Sequence, residues 1–271
     1  MDIKIRFEII DEPPTRQWDK PPDPFGEKLC PERVDRRRAE CPNCNRALKK
    51  IPAAKTKCPH CGEFMFVRTR PEDSARVVVT GAEADRIDTE YNMLSLAGDP
   101  DFRNITTESE VIAERERLRE ILSTKMCKEP ADDDVKWALL GKKRAQHASK
   151  GDWGLYRNIC LLMANFLTRR MKLKDALQLY LEVCTLDLNG PTNSNALKGP
   201  ELLDEFPPFD LRQAFTAPMV IGQVDFVASK LGMSKQQLRE LFMTQHPAYI
   251  SMLPLSLENC WAKLEVAVNR V

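Results

Sequence analysis

The sequence predicts an α+β protein, in which short antiparallel strands around a four-cysteine metal site are followed by a mainly α-helical domain. Two observations support this. The Cys-x-x-Cys pairs CPNC (41–44) and CPHC (58–61) are separated by thirteen residues. Beyond residue 80, apolar residues recur at helical spacing, and Gly or Pro divides the segments.

The cysteine spacing is that of a structural zinc site whose ligands are Cys41, Cys44, Cys58 and Cys61. Each Cys-x-x-Cys turn directs two sulfurs at one ion, and two such turns complete a tetrahedron. Four thiolates leave no open position for water, so we expect Zn²⁺ to stabilise the fold and not to catalyse a reaction. Cys30 and His60 are the neighbouring residues that could compete as ligands, but the regular spacing of the four cysteines disfavours both.

Residues 41–68 resemble the zinc-ribbon class. The overall order resembles uncharacterised zinc-ribbon proteins of bacterial prophage or phage type with a helical C-terminal domain. The residues that carry this resemblance are the CPNC and CPHC pairs, the hairpin that leads into VVVT, and the run ALQLYLEVCTLDLNG at 176–190. The resemblance implies a phage-related protein and no established activity.

The predicted strands surround the cysteines and precede the helices. Residues 3–10 alternate between apolar and polar side chains, as a half-buried strand does, and several prolines follow. Ala47, Leu48 and Ile51 can supply one short strand, and FMFVRT and RVVVT form a hairpin. We predict five parts: 1–35, strand and Pro-rich arm; 36–80, zinc ribbon and β-hairpin; 81–186, helical domain; 187–217, loop; 218–271, C-terminal helices.

Eight helices are predicted. Thr80 and Glu83 have the spacing of a capping box at the start of the first. The predicted ranges are 82–97, 107–126, 131–149, 152–171, 173–186, 218–231, 234–244 and 255–270. The segment 187–209 is rich in Pro, Gly and Asn, and either wraps the surface or separates two helical sub-bundles.

Two helix pairs resemble recognition modules. Residues 224–243 look like a helix-turn-helix, with Gly232 in the turn and Ser234 as the N-cap. Its recognition surface would be only weakly basic, so a plain helical hairpin is an equal alternative. Residues 160–187 resemble one tetratricopeptide-type pair, with Ala164, Ala176 and Tyr180 at packing positions, but no second copy occurs at the required period.

Charge suggests a partner for the ribbon. The chain has a net charge of only +1, whereas residues 36–70 contain ten basic and two acidic residues, a net +8. Such a patch is a candidate phosphate-binding surface. Seven of the ten are the candidate nucleic-acid contacts: Arg36, Arg37, Arg38, Lys49, Lys50, Lys55 and Lys57. Alternatively, the basic residues offset the −2 charge of a zinc–thiolate centre, or an acidic N-terminal arm covers them. Phe64 and Phe66 could stack on bases, or belong to the core.

Enzyme signatures are missing from the sequence: there is no His-Glu-x-x-His motif, phosphate loop or nucleophile elbow. No apolar run is long enough for a transmembrane helix, and the odd number of nine cysteines favours a reducing compartment. We therefore predict a non-enzymatic, cytoplasmic zinc-binding protein that contacts nucleic acid through the basic ribbon. The alternative is a protein-interaction scaffold with a purely structural zinc. Neither hypothesis requires a membrane or a small-molecule substrate.

Overall fold

The computed structural model describes residues 39–71, 73–96, 105–123, 129–193, 207–245 and 249–268. The fold is α+β, as predicted. Two compact units emerge from the contacts, and they contain the described residues 39–96 (the ribbon unit) and 105–268 (the helical unit). The predicted strand 3–10, the Pro-rich arm and Arg36, Arg37 and Arg38 lie outside the described residues.

A three-stranded antiparallel sheet forms the centre of the ribbon unit. Its order is β1 (Thr56–Lys57), β2 (Phe64–Thr69) and β3 (Arg76–Val79). Lys57 pairs with Phe64, and Phe66 pairs with Val79. The hairpin was predicted correctly, but the strand expected from Ala47, Leu48 and Ile51 was wrong. Of these three residues only Ala47 forms a bridge, to Glu40, and the short strand instead lies directly before the second cysteine pair.

Helix α1 (Gly81–Leu96) packs on one face of this sheet. Phe66 lies on that face with Val77, Val79, Ala84 and Ile87, while Met65 and Val78 on the opposite face pack against Cys41 and Cys58. The period-2 alternation of β2 thus separates a helix-covered face from a cysteine-covered face. The predicted capping box is present, because the Thr80 N–H donates to Glu83 Oε2 (2.8 Å) and the Glu83 N–H to Thr80 Oγ1 (3.3 Å). The sequence predicts that the ribbon part ends at residue 80, whereas the contacts place the boundary at residue 98, because α1 belongs to the ribbon unit.

The helical unit contains seven described α-helices. They are α2 (Glu108–Ser123), α3 (Asp132–Lys150), α4 (Trp153–Arg169), α5 (Leu173–Asn189), α6 (Pro218–Lys230), α7 (Lys235–Met243) and α8 (Leu257–Ala267). Two 3₁₀ turns, Leu211–Gln213 and Ile250–Met252, precede α6 and α8. Most helix ends lie within a few residues of the predicted ones.

Helices α4 and α5 form the hairpin at the centre of this unit. Ala164, Ala176 and Tyr180, predicted as packing positions, are fully buried. The Tyr180 hydroxyl donates to Asn165 Oδ1 (2.8 Å) and accepts from Thr168 Oγ1 (3.2 Å), which satisfies these buried polar groups.

Three arginine–carboxylate pairs join helices α3, α4 and α5. Arg170 of the α4 C-cap binds Asp133 of α3, and Arg144 of α3 binds Glu182 of α5. Arg157 of α4 binds Asp187 of α5 through two bonds of 2.6 and 2.7 Å. In the Arg157 and Arg170 pairs, two guanidinium nitrogens face two carboxylate oxygens, and this geometry fixes the orientation of the paired elements.

The segment that follows α5 does not separate two sub-bundles, because buried residues on both sides of it belong to one core. Gly190 has a left-handed φ of +66°, and its carbonyl accepts the Asp210 N–H (2.8 Å). Pro191 and Phe209 form a β-bridge beside it. The chain just after α5 and the chain around residue 209 therefore lie side by side. Helix α6 packs on α5.

The helix-turn-helix-like segment has the predicted local geometry. Gly232 is in the turn with φ +62°, and Ser234 and Gln237 form a capping box at the start of α7. Leu238 is fully buried, as expected for the inner face. The outer face is only weakly basic, since Lys235 lies 3.9 Å from Glu265. DNA reading by this segment stays a prediction.

Candidate metal centre

Each cysteine pair lies in a tight turn closed by backbone hydrogen bonds. In the first turn, the Cys41 N–H donates to the Arg46 carbonyl (2.9 Å) and the Asn45 N–H to the Cys41 carbonyl (2.8 Å). The second turn repeats this pattern, with Cys58 bonded to Glu63 (2.8 Å) and Gly62 to Cys58 (3.0 Å). Asn45 and Gly62 occupy equivalent positions with φ of 56° and 77°. The sequence therefore marked both turns, because Asn and Gly tolerate the left-handed region.

The turns also direct backbone N–H groups at sulfur. The Asn43 N–H points at Cys41 Sγ and the His60 N–H at Cys58 Sγ, each at 3.4 Å. The Asn43 side chain donates to the Phe64 carbonyl (3.2 Å), which links the first turn to β2. Donors in this position stabilise negative charge on a thiolate.

The four sulfurs lie close enough together to hold one metal ion. All four lie within 4.8 Å of one another, and Cys41–Cys61 and Cys44–Cys58 are 3.7 and 3.9 Å apart. A tetrahedron with Zn–S bonds of ~2.3 Å has edges of ~3.8 Å, so the observed spacing fits Zn²⁺. The four predicted ligands thus come together, and they are the single candidate cluster among the described residues. His60 supplies a backbone donor and is not part of this cluster.

The two thiols of the second turn, those of Cys58 and Cys61, have different pKa values. Desolvation raises the pKa of Cys58, but hydrogen bonds from the backbone of Cys61 and His60 outweigh it, so that the pKa is about 6. At Cys61 the Glu63 backbone lowers the pKa, while desolvation and the neighbouring sulfurs raise it to about 12. A thiolate therefore forms readily at one position, and the remaining protons have to leave when a cation binds.

The basic residues around the centre divide into two groups. Arg68 forms an ion pair with Asp88 (2.7 Å), and Arg70 is buried against Asp73 (2.5 Å). The predicted count of +8 overstates the available charge, because these two arginines are already paired. Five others are exposed, and the described part of the chain provides no acidic partner for them: Arg46, Lys49, Lys50, Lys55 and Lys57.

An aromatic surface lies beside two of these lysines. Lys55 Nζ is 4.7 Å from the centre of the Phe64 ring and 4.9 Å from that of Phe66, and Lys57 Nζ is 5.2 Å from the centre of Phe64. Phe66 belongs to the packed face under α1, whereas Phe64 is 46% exposed. From the sequence, either ring could belong to the core or lie at the surface. In the structure Phe66 packs in the core and Phe64 lies at the surface.

The helical unit holds a second group of titratable residues, which is internal. Glu182 Oε1 accepts bonds from Arg144 (2.8 Å), the Tyr156 hydroxyl (2.7 Å) and the Tyr249 hydroxyl (3.2 Å). Burial raises the pKa of both tyrosines well above its usual range. No sequence motif marks this cluster, because its members are far apart in the chain. Each polar group of this cluster has a hydrogen-bond partner within it, which indicates a structural role.

No protein family, curated protein or solved structure matches this chain. Among the helices of the described segments, none combines the length and hydrophobicity needed to cross a bilayer.

Proposed function

We propose that this protein is a non-enzymatic, Zn²⁺-binding protein that contacts nucleic acid through its ribbon unit. The observation that carries the proposal is the set of five exposed basic side chains around the four-cysteine cluster. Arg68 and Arg70 carry internal ion pairs, but these five have no acidic partner in the described segments. Exposed cationic side chains without acidic partners are groups that a phosphate backbone binds.

Zinc has a structural role in this proposal. Cys41, Cys58, Met65 and Val78 make up the buried core beside the cysteine turns, so two of its four members are metal ligands. A core of this size does not support a stable fold alone, and metal binding supplies the missing free energy. Four thiolates also fill the coordination shell of Zn²⁺, which leaves no position for a substrate.

The test is a binding titration with zinc-loaded full-length protein. Fluorescence anisotropy would follow a fluorescein-labelled oligothymidine of about 12 nucleotides and a duplex of similar length. We expect affinity to fall with added KCl, with a log–log slope between about −1.5 and −4.5 for two to five phosphate contacts. Binding that is absent, or unaffected by salt, would show the proposal to be wrong.

A charge-matched pair of variants localises the contact. Lys49→Gln/Lys50→Gln removes two exposed charges from the ribbon unit, and we expect it to weaken binding of both probes and flatten the salt slope. Lys142→Gln/Lys263→Gln changes net charge equally in the helical unit, where both lysines are exposed. Equal losses in the two variants would contradict a ribbon-centred site.

A second candidate function is supported by exposed apolar side chains in the helical unit. Leu211, Phe215 and Met219 are 45%, 71% and 41% exposed, and they lie within one short stretch before and at the start of α6. Apolar side chains grouped in this way are typical of surfaces that bind protein partners. Crosslinking of a photoreactive residue placed at Phe215 would test this scaffold function, and labelling of solvent alone would argue against it.

A further inference from the structure

We propose that the ribbon unit binds single-stranded nucleic acid, by stacking an unpaired base on Phe64 while Lys55 and Lys57 contact the adjacent phosphates. This inference rests on the proposed function and specifies its ligand. It follows from how β2 presents its side chains, from what α1 covers, and from where the two ammonium groups lie.

Among the described residues of the ribbon unit, Phe64 belongs to neither of the two apolar clusters. Side chains 64 and 66 share one face of β2, but Phe66 alone joins the cluster of Val77, Val79, Ala84 and Ile87 beneath α1. Phe64 lies beyond this cluster, at the first residue of the central strand β2, where it pairs with Lys57 of the edge strand β1. Nearly half of its surface meets solvent. A large exposed ring at the end of a strand is an available stacking platform.

Lys55 and Lys57 supply charge at this ring. Both ammonium groups lie within 5.2 Å of the centre of the Phe64 ring, and both side chains are exposed. In the free protein these are cation–π contacts, which are weak at a solvated surface. Long lysine side chains can therefore move to a phosphate at little cost while a base occupies the ring. The combination of a ring and flanking cations matches a nucleotide, which carries a base and an anion on one short backbone.

The same surface disfavours a duplex. Bases in a double helix are stacked on each other and present only their edges, so a ring on a flat sheet cannot reach a base face. Helix α1 packs on this side of the sheet and contributes Glu83 and Asp85 there, whereas Asp88 is paired with Arg68 and Glu90 is buried. A duplex lying across the face would bring its phosphates towards Glu83 and Asp85. A single strand is narrow enough to follow the lysines alone.

Phe64→Leu tests the stack, because it keeps an apolar side chain at an exposed position and removes the π face. We expect its affinity for the oligothymidine to fall about 5- to 150-fold, the equivalent of one base stack of ~1–3 kcal/mol, with little change for the duplex. Tyr91→Leu is the matched control, since Tyr91 is an exposed ring (43%) of α1 in the same unit. It should bind as the unmodified protein does.

A gain-of-signal variant provides a second measurement. F64W keeps the stack, so its tryptophan emission should be quenched by the oligothymidine more strongly than that of the unmodified protein. If Phe64→Leu binds normally and F64W shows no added quenching, while Lys49→Gln/Lys50→Gln still weakens binding, the stacking inference is wrong and the proposed function stands. If no variant and no probe shows salt-dependent binding, both are wrong. Zinc content of every variant confirms that the cysteine turns remain formed.

Discussion

Gly190 and the carbonyl of Asp210 are so close that a Cβ on Gly190 would lie 1.9 Å from the Asp210 oxygen. The contact occurs just after the end of α5, where the segment before α6 hydrogen-bonds to the residue that caps α5. Gly190 also has a left-handed backbone conformation. Position 190 therefore requires glycine for both conformation and space.

Gly190→Ala should be strongly destabilising. The left-handed conformation costs an alanine about 1–2 kcal/mol, and the clash would break the Asp210–Gly190 hydrogen bond, so we expect a total above about 3 kcal/mol. Urea unfolding followed by circular dichroism measures it. Gly141→Ala is the control, because this glycine lies inside α3 with no heavy atom near its Cβ position, and alanine there should stabilise by about 0.5–1 kcal/mol. A small effect at Gly190 would show that the loop can move aside.

Glu182→Ala should cost about 3–5 kcal/mol, because it leaves the Arg144 guanidinium and two tyrosine hydroxyls without their shared acceptor. Glu265→Ala removes a carboxylate that lies 3.9 Å from Lys235 at the surface, and its cost should stay below about 1 kcal/mol. Thermal and urea unfolding compare the two. Equal costs would mean that the Glu182 network is not a stabilising unit.

Zinc removal should unfold the ribbon unit and leave the helical unit folded. The core beside the cysteine turns includes the candidate metal ligands Cys41 and Cys58, whereas the core of the helical unit contains none of the four. Metal analysis should find about one zinc per chain, and Cys44→Ser should lose it while Cys184→Ser, at a buried thiol of α5, should retain it. Amide exchange after chelation locates the unfolding. Protection retained at residues 56–79 would contradict the structural role of zinc.

Protonation of His147 should make the folded protein less stable at acidic pH. Burial lowers its pKa, Lys150 and Lys143 lower it further, and Asp152 opposes them. Since the unfolded chain has a pKa of about 6.5, it binds more protons than the folded chain below that pH, so this contribution to stability decreases as pH falls through about 6.5 and below. His147→Gln should reduce the loss between about pH 7.5 and 5 in urea unfolding. Parallel curves for the two proteins would refute the assignment.

Local signals made most of the fold predictable. The capping residues Thr80 and Ser234 mark helix starts, and the cysteine spacing together with Asn45 and Gly62 marks both metal turns. These features depend on neighbours within a few residues. The first strand was misplaced because the pairing that defines it, Lys57 with Phe64, depends on register across a turn and not on the apolar residues before it.

Contacts between distant residues could not be read from the sequence. Arg144 and Glu182 are 38 positions apart, and many acids are equally plausible partners for any one arginine. The basic patch shows the same limit, because the pairing of Arg68 with Asp88 depends on how α1 packs on the sheet. Likewise, the difference between Phe64 and Phe66 arises from where the helix stops covering the strand.

The α4–α5 hairpin is closed at both ends. One end is the turn between the helices, and at the other the Gly154 N–H donates to the Thr192 carbonyl (3.0 Å) and the Leu155 N–H to Asn193 Oδ1 (2.9 Å). The first turn of a helix normally frays, since its N–H groups lack partners within the helix. Here the amides of Gly154 and Leu155 are hydrogen-bonded to the chain that leaves α5. The first turn of α4 can therefore fray only after these two hydrogen bonds break.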